Sequence, residues 1–244
     1  MNIAIVGATG NVGRKLLEVL EKKQFPIDEL FLIASSKSIG KKIDFKGKEY
    51  SIQDLENFDF SNVKIAFFSA GSAIAEKWGP VAAKKTIVID NSKFFRMDPD
   101  VPLIVPEANS KELINYNKKN IIANANCSVI PLVVALKPLH DLYEIKRIVA
   151  STYQSVSGAG KASMDELVSQ TKDFFNSKEI NSKHFTKQIA FNAIPHIDNF
   201  LENGYTKEEQ KMHDEVKKIL GKKINVTSTS VRIPVLVSHA VSVN

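Results

Sequence analysis

The chain has 244 residues, 43% hydrophobic and 25% charged, enough for one large folded domain or two modest ones and unlike a disordered or fibrous protein. It has no run of 18 apolar residues and no basic-then-apolar leader, and its single cysteine, Cys127, excludes an internal disulfide, so a cytoplasmic protein with no membrane partner is expected. The net charge of +6 comes from scattered lysines and arginines with no aromatic-basic cluster, which favours anionic small molecules over nucleic acid.

Residues 2–6 (NIAIV) read as a strand that runs into Gly7-Ala-Thr-Gly10-Asn-Val-Gly13. A helix over 12–22 follows, with apolar residues at Val12, Leu16, Leu17, Val19 and Leu20. Further strands are predicted at 30–34, 63–69, 86–90, 103–105 and 120–123, with helices over 73–85 and 128–139. Strands that are almost wholly apolar and alternate with helices predict a parallel sheet covered on both faces. The pattern then changes. A longer strand at 145–153 leads to a helix over 162–176, a polar stretch at 181–187, an apolar run at 189–194 and a helix over 207–220. Two last strands are expected at 224–229 and 233–238, the second ending at His239. Long strands joined by long connections suggest an α+β domain on a mixed or antiparallel sheet. The expected division is 1–127 for the nucleotide domain and 128–244 for the second one.

Three glycines between a strand and a helix have a physical use. One permits the tight turn, one lets backbone approach a pyrophosphate, and one lets the helix pack close to the strand. The helix N-terminus then offers unpaired N–H groups to the anion. An NAD site usually has an acid at the end of the second strand, for the ribose 2′-hydroxyl. This chain has Ser35-Ser36-Lys37-Ser38 there. Hydroxyls and a lysine suit a 2′-phosphate, so NADP is the expected cofactor. No metal site is expected.

Cys127 follows a strand and lies at a helix start, because Pro131 is tolerated only in a first turn. A thiol at a helix N-terminus is biased toward thiolate. Beside NADP it suggests addition to an aldehyde, loss of hydride and a thioester. Such chemistry needs a base. Of His140, His184, His196, His213 and His239, position alone gives His239 a modest edge.

These residues resemble the aspartate-semialdehyde dehydrogenases over essentially the whole chain. The likeness rests on GATGNVG at 7–13, SSKSIG at 35–40, FSAGSA at 68–73, Asp90-Asn-Ser92, residues 95–109, Asn124 to Ser128, the stretch 153–160, FNAIPHI at 191–197, residues 206–211 and residues 232–239. The resemblance implies a Rossmann-type NADP-binding domain and an α+β catalytic and dimerisation domain of the glyceraldehyde-3-phosphate dehydrogenase-like α/β class. It implies Cys127 as nucleophile, His239 as acid/base and Gln154 as the residue that orients the covalent intermediate. Arg96, Asn126 and Lys211 would hold phosphate, Arg232 the substrate carboxylate, and Glu208 or its neighbour Glu209 the substrate amino group. Cofactor contacts are implied at Gly7, Thr9, Gly10, Asn11, Val12, Gly13, Ser35, Ser36, Lys37, Ser38, Ala70, Gly71, Ser157 and Gly158. The implied reaction is NADPH-dependent reductive dephosphorylation of β-aspartyl phosphate to aspartate semialdehyde and phosphate, on the way to lysine, diaminopimelate, methionine and threonine. The implied assembly is a homodimer.

Family chains continue past His239 into more of the catalytic domain, so the resemblance implies a form incomplete at the C-terminus. Lys93-Phe94 stands where the family usually has small residues. Two other readings compete. N-acetyl-glutamyl-phosphate reductases place their nucleophile in a Gly-Cys-Tyr setting, unlike Asn126-Cys127-Ser128 here. A non-catalytic NADP-binding regulatory protein needs no Cys127, Gln154, Arg232 or His239.

Overall fold

In the computed structural model, which describes residues 1–244, the apolar strands of the first half join one sheet. The chain forms two compact units, Met1–Ala125 and Asn126–Asn244. No helix is long and apolar enough to cross a membrane.

The first unit begins with β1 (Ile3–Val6), whose four residues are fully buried, and α1 (Asn11–Lys22). It continues through β2 (Leu30–Ala34), β3 (Lys42–Phe45), β4 (Lys48–Asp54), β5 (Ile65–Phe68), α2 (Ser72–Ala83) and β6 (Ile87–Asp90). It ends with β7 (Leu103–Ile104), α3 (Pro106–Asn109) and β8 (Ile121–Asn124). The sheet order is β3-β4-β2-β1-β5-β6-β8-β7. All neighbours are parallel except β3 and β4, which form an antiparallel hairpin. The expected sheet was parallel throughout and lacked this hairpin. Its turn has Lys46 and Gly47 both at positive φ, which matches the twist of a two-residue hairpin loop.

The strand order reverses at β1. From there the chain builds outward through β2 and then returns to place β5 on the other side. The carboxyl ends of β1 and β5 therefore flank the switch point, where open α/β sheets bind ligands.

The second unit contains α4 (Val129–Tyr143), β9 (Arg147–Gln154), α5 (Lys161–Phe175), α6 (Lys207–Leu220), β10 (Asn225–Arg232) and β11 (His239–Val243). Its sheet order is β10-β9-β11, with β10 parallel and β11 antiparallel to β9. The mixed sheet agrees with the expectation, but the strand predicted at 233–238 does not form. Residues 189–194 contribute one isolated bridge, Ile194 to Arg232. Residues 233–238 are irregular and pass the end of β9. Ile233 N–H donates to the Gln154 carbonyl, and Val156 and Ser157 N–H donate to Val235 and Leu236 carbonyls. Pro234 has no N–H for a ladder, and Ser238 turns the chain at φ +81°. His239 thus begins a strand instead of ending one.

α6 packs on β10 and α4. It starts with a capping box in which Thr206 and Glu209 satisfy each other's main-chain donors. Met212, Val216 and Ile219 bury its apolar stripe, and Glu208 and Glu215 are buried along with them.

Candidate active site

The register of the three-stranded sheet assembles the site. Gln154, the last residue of β9, pairs with Arg232 at the end of β10 and with His239 at the start of β11. Three polar side chains therefore lie in one row. Gln154 and Arg232 are buried.

Cys127 is exposed, in the turn between Asn126 and α4. The helix starts at Val129, so Cys127 precedes it, and Pro131 falls in the first turn. Cys127 Sγ lies 3.3 Å from His239 Nε2. On the far side of the ring, Ser155 N–H donates to His239 Nδ1 at 3.1 Å. A backbone N–H can only donate, so Nδ1 accepts. The neutral imidazole then carries its proton on Nε2, facing the sulfur. The Ser155 hydroxyl lies 3.3 Å from the same Nδ1 and 2.9 Å from the Ser157 hydroxyl.

Arg232 Nη1 donates to the Ser155 carbonyl at 2.6 Å. Burial pulls its pKa down, opposed by the negative charges of Glu208 and Cys127. A Cβ on Gly158 would sit 3.4 Å from Arg232 Nη1 and 3.6 Å from His239 Nε2. Glycine keeps the space between these side chains open.

Glu208 accepts from Asn126 Nδ2 at 2.9 Å, Gln154 Nε2 at 3.2 Å and Lys211 Nζ at 2.9 Å. Burial pushes its pKa up, but the Lys211 charge and the three hydrogen bonds outweigh it and hold the carboxyl below its ordinary value. Burial likewise pulls Lys211 down, yet Glu208 and Asp198 hold it above the usual lysine value. The pair is therefore charged across the neutral range, and it is no solvated surface contact. Glu209 is fully engaged elsewhere, in the capping box and with Ser230 N–H at 2.9 Å. Of the two glutamates, Glu208 faces the site.

In the first unit, Val6, Gly7, Thr9, Gly10, Ser35 and Ala70 line a cleft of about 340 Å³ at the switch point. Gly7 has φ +89°, and a Cβ there would lie 2.8 Å from the Ser69 carbonyl. A Cβ on Gly13 would enter the Gly7 carbonyl. α1 has no side-chain cap and no acid in its first turn, which leaves its N-terminus for an anion. Asn11 and Val12 are exposed in that turn, Gly71 precedes α2, and Ser36, Lys37 and Ser38 form a 3₁₀ turn after β2 with only Ser38 buried. Arg96 also belongs to this unit. It is buried, and its Nη2 donates to the Asn91 carbonyl at 3.1 Å. Ser157 and Gly158 belong to the second unit, beside His239 and Arg232.

Sequence reasoning missed three contributors. Ser155 orients His239 and Arg232 through its main chain, which leaves no mark in a sequence. Asp198 holds Lys211 at 3.1 Å. Glu215 accepts from Asn126 N–H at 2.6 Å. An acid within the apolar stripe of α6 could have exposed Glu215.

The chain is similar to known proteins over its whole length. The semialdehyde dehydrogenase NAD binding domain matches residues 2–116, and the semialdehyde dehydrogenase dimerisation domain matches residues 136–244. The aspartate-semialdehyde dehydrogenase of Rickettsia bellii is 52% identical over 244 residues, covering 100% of this chain and 72% of that protein. The crystal structure of aspartate semialdehyde dehydrogenase II from Vibrio cholerae superposes with a TM-score of 0.98 at 52% identity, covering 99% of this chain and 73% of that one. A second structure of the same enzyme, complexed with ASA, matches equally well. The chain belongs to the semialdehyde dehydrogenase family and, within it, to the aspartate-semialdehyde dehydrogenases.

Proposed function

We propose that this chain carries out the NADPH-dependent reductive dephosphorylation of β-aspartyl phosphate, with Cys127 as nucleophile. The observation that supports this most strongly is the approach of Cys127 Sγ to His239 Nε2 at the end of the Arg232–Gln154–His239 row.

Cys127 thiolate attacks the acyl carbonyl, the C–O bond to phosphate breaks, and a thioester remains on the sulfur. Arg232 takes the substrate α-carboxylate as a planar two-donor clamp. Glu208 accepts from the substrate ammonium, and Gln154 Nε2 holds the acyl group beside it. Asn126 and Lys211 receive the phosphate. A bound NADPH supplies a hydride equivalent for reduction to the aldehyde level. His239 holds a proton at Nε2, where it stabilises the departing thiolate and protonates the oxyanion as the thiohemiacetal forms.

The first unit suits this cofactor. The glycine turn and the uncapped α1 fit a pyrophosphate, and the Ser35–Lys37 stretch fits a 2′-phosphate better than a 2′-hydroxyl. Of the remaining implied cofactor contacts, Ser157 and Gly158 lie on the catalytic side. We further infer a cytoplasmic homodimer formed through residues 136–244, acting on the route to lysine, diaminopimelate, methionine and threonine. The dimerisation-domain match and the lone cysteine support this.

The test is phosphate-dependent reduction of NADP with aspartate semialdehyde. Turnover that requires both phosphate and aldehyde is expected. NADP binding with no turnover would favour a regulatory protein instead.

A further inference from the structure

α6 buries a second carboxylate that the chemistry above does not use. Glu215 is 1% exposed and lies two turns after Glu208 on one helix face. Other buried positions nearby on that face are apolar, namely Met212, Val216 and Ile219. A carboxylate there is costly to desolvate unless it gains strong partners. Glu215 gains a bond of 2.6 Å from the main-chain N–H of Asn126, the residue before Cys127.

That N–H has no place in regular structure. β8 ends at Asn124 and α4 begins at Val129, so neither ladder nor helix can satisfy it. The rest of Asn126 is also engaged. Its Nδ2 donates to Glu208, its Oδ1 accepts from Ser128 N–H at 2.8 Å, and its carbonyl accepts from Val129 and Ile130 N–H at 3.0 Å each. Two carboxylates on one helix thus grip one residue from two directions. Glu208 holds its side chain and Glu215 its backbone. What remains projecting from the turn is the Cys127 side chain.

We propose that Glu215 is a positioning residue for the nucleophile. By holding the Asn126 N–H it fixes the main chain that carries Cys127 Sγ toward His239 Nε2. This rests on the assignment of Cys127 as nucleophile, and the test separates the two.

The experiment measures the rate of Cys127 alkylation by iodoacetamide at fixed pH, with kcat and KM measured alongside. Glu215→Asp keeps the charge but falls one methylene short of the N–H. It is expected to slow alkylation and kcat together by roughly tenfold to a hundredfold, with KM for aspartate semialdehyde little changed. Glu215→Gln keeps an oxygen acceptor at the same reach and is expected to stay within about threefold of the parent. A folded Glu215→Asp protein with parental alkylation and kcat, whatever its melting temperature, overturns the proposal. So does a Gln variant slowed as much as the Asp variant, since charge and not the bond would then matter. Should the Asp variant fail to fold, Glu215→Met replaces it, because its length and polarity match the rest of the stripe. Slow alkylation in that variant supports the proposal and the parental rate overturns it. Alkylation needs no substrate. A chain inactive on aspartate semialdehyde that still shows this order of rates would retain Glu215 and lose only the substrate assignment.

Discussion

Two strand-to-helix turns of this chain solve opposite problems. The turn from β1 to α1 begins and ends on glycine, at Gly7 and Gly10, and its helix starts with no side-chain cap. The turn from β8 to α4 runs from Ala125 to Ser128, and the main-chain N–H groups of Asn126 and Ser128 are bound within the protein, by Glu215 and by the Asn126 side chain. The first leaves the start of its helix without a side-chain cap, open to an outside anion, and its glycines remove side chains that would block the approach. The second ties the N–H groups on both sides of Cys127 to side chains of the protein and leaves one reactive side chain. The same β-to-α geometry therefore serves as a phosphate cradle or as a nucleophile mount. The difference lies in who satisfies the helix N-terminus.

Emptying the second turn should have the largest effect. Cys127→Ala is expected to lower kcat by about 10⁴-fold or more, since loss of a nucleophile removes the covalent route. NADP affinity, measured by fluorescence titration, should stay at the parental value, because Gly7, Gly10 and their cleft lie in the other unit. Retained turnover would remove the nucleophile from this turn. His239→Ala follows, with an expected loss of about 10²- to 10⁴-fold in kcat and a smaller change in KM. Burst kinetics with the alanine variant should still show thioester formation, at a reduced rate.

The two turns were unequally legible in the sequence. The glycine spacing needs only local geometry, so residues 7–13 announced both strand and helix. Helix α6 was legible for a similar reason, since its capping box and apolar stripe lie within its own residues. The β3–β4 hairpin was hidden because its outer face is charged: Lys42, Asp44, Lys48 and Glu49 are exposed, and only Ile43, Phe45 and Ile52 are buried. A Lys-Gly pair between such strands was the available signal. Residues 233–238 misled in the opposite way. Their apolar composition suggested a strand, but Leu236 and Val237 remain 43% and 61% exposed and their neighbours bond to the end of β9. The roles of Ser155 and Asp198 depend on contacts across long stretches of chain, which no local pattern records. Between Glu208 and Glu209 the sequence offers no distinction, whereas in the structure the capping box claims Glu209 and Glu208 bonds to Asn126 and Gln154.

Filling the first turn should have a middling effect. Gly7→Ala places a Cβ 2.8 Å from the Ser69 carbonyl, on a residue with φ +89°. The strain should destabilise the first unit by about 1–3 kcal/mol, read by chemical denaturation. NADP affinity should fall by about tenfold or more, because a turn displaced by the added Cβ no longer lets the backbone approach the pyrophosphate. The rate of Cys127 alkylation should be unchanged. A variant that loses alkylation while keeping NADP affinity would reverse the assignment of the two turns.

The smallest effect concerns the ion pair that supports the second turn. Glu208 titrates below its ordinary value, so its contribution to stability is fully present above about pH 4.3 and fades as pH falls through the lower folded value. Lys211 titrates above its ordinary value, so its contribution is present below about pH 10.4 and fades as pH rises through the higher folded value. Between these limits the pair adds no pH dependence. Melting temperatures of the parent and of Glu208→Gln should therefore differ by a constant amount from about pH 6 to 9, and the gap should narrow only on acidification below the ordinary glutamate range. A gap that closes near neutrality instead would mean that Glu208 is protonated there. It would then donate a hydrogen bond to Asn126 or Gln154 rather than accept from them, and the charged grip on the Asn126 side chain would be lost.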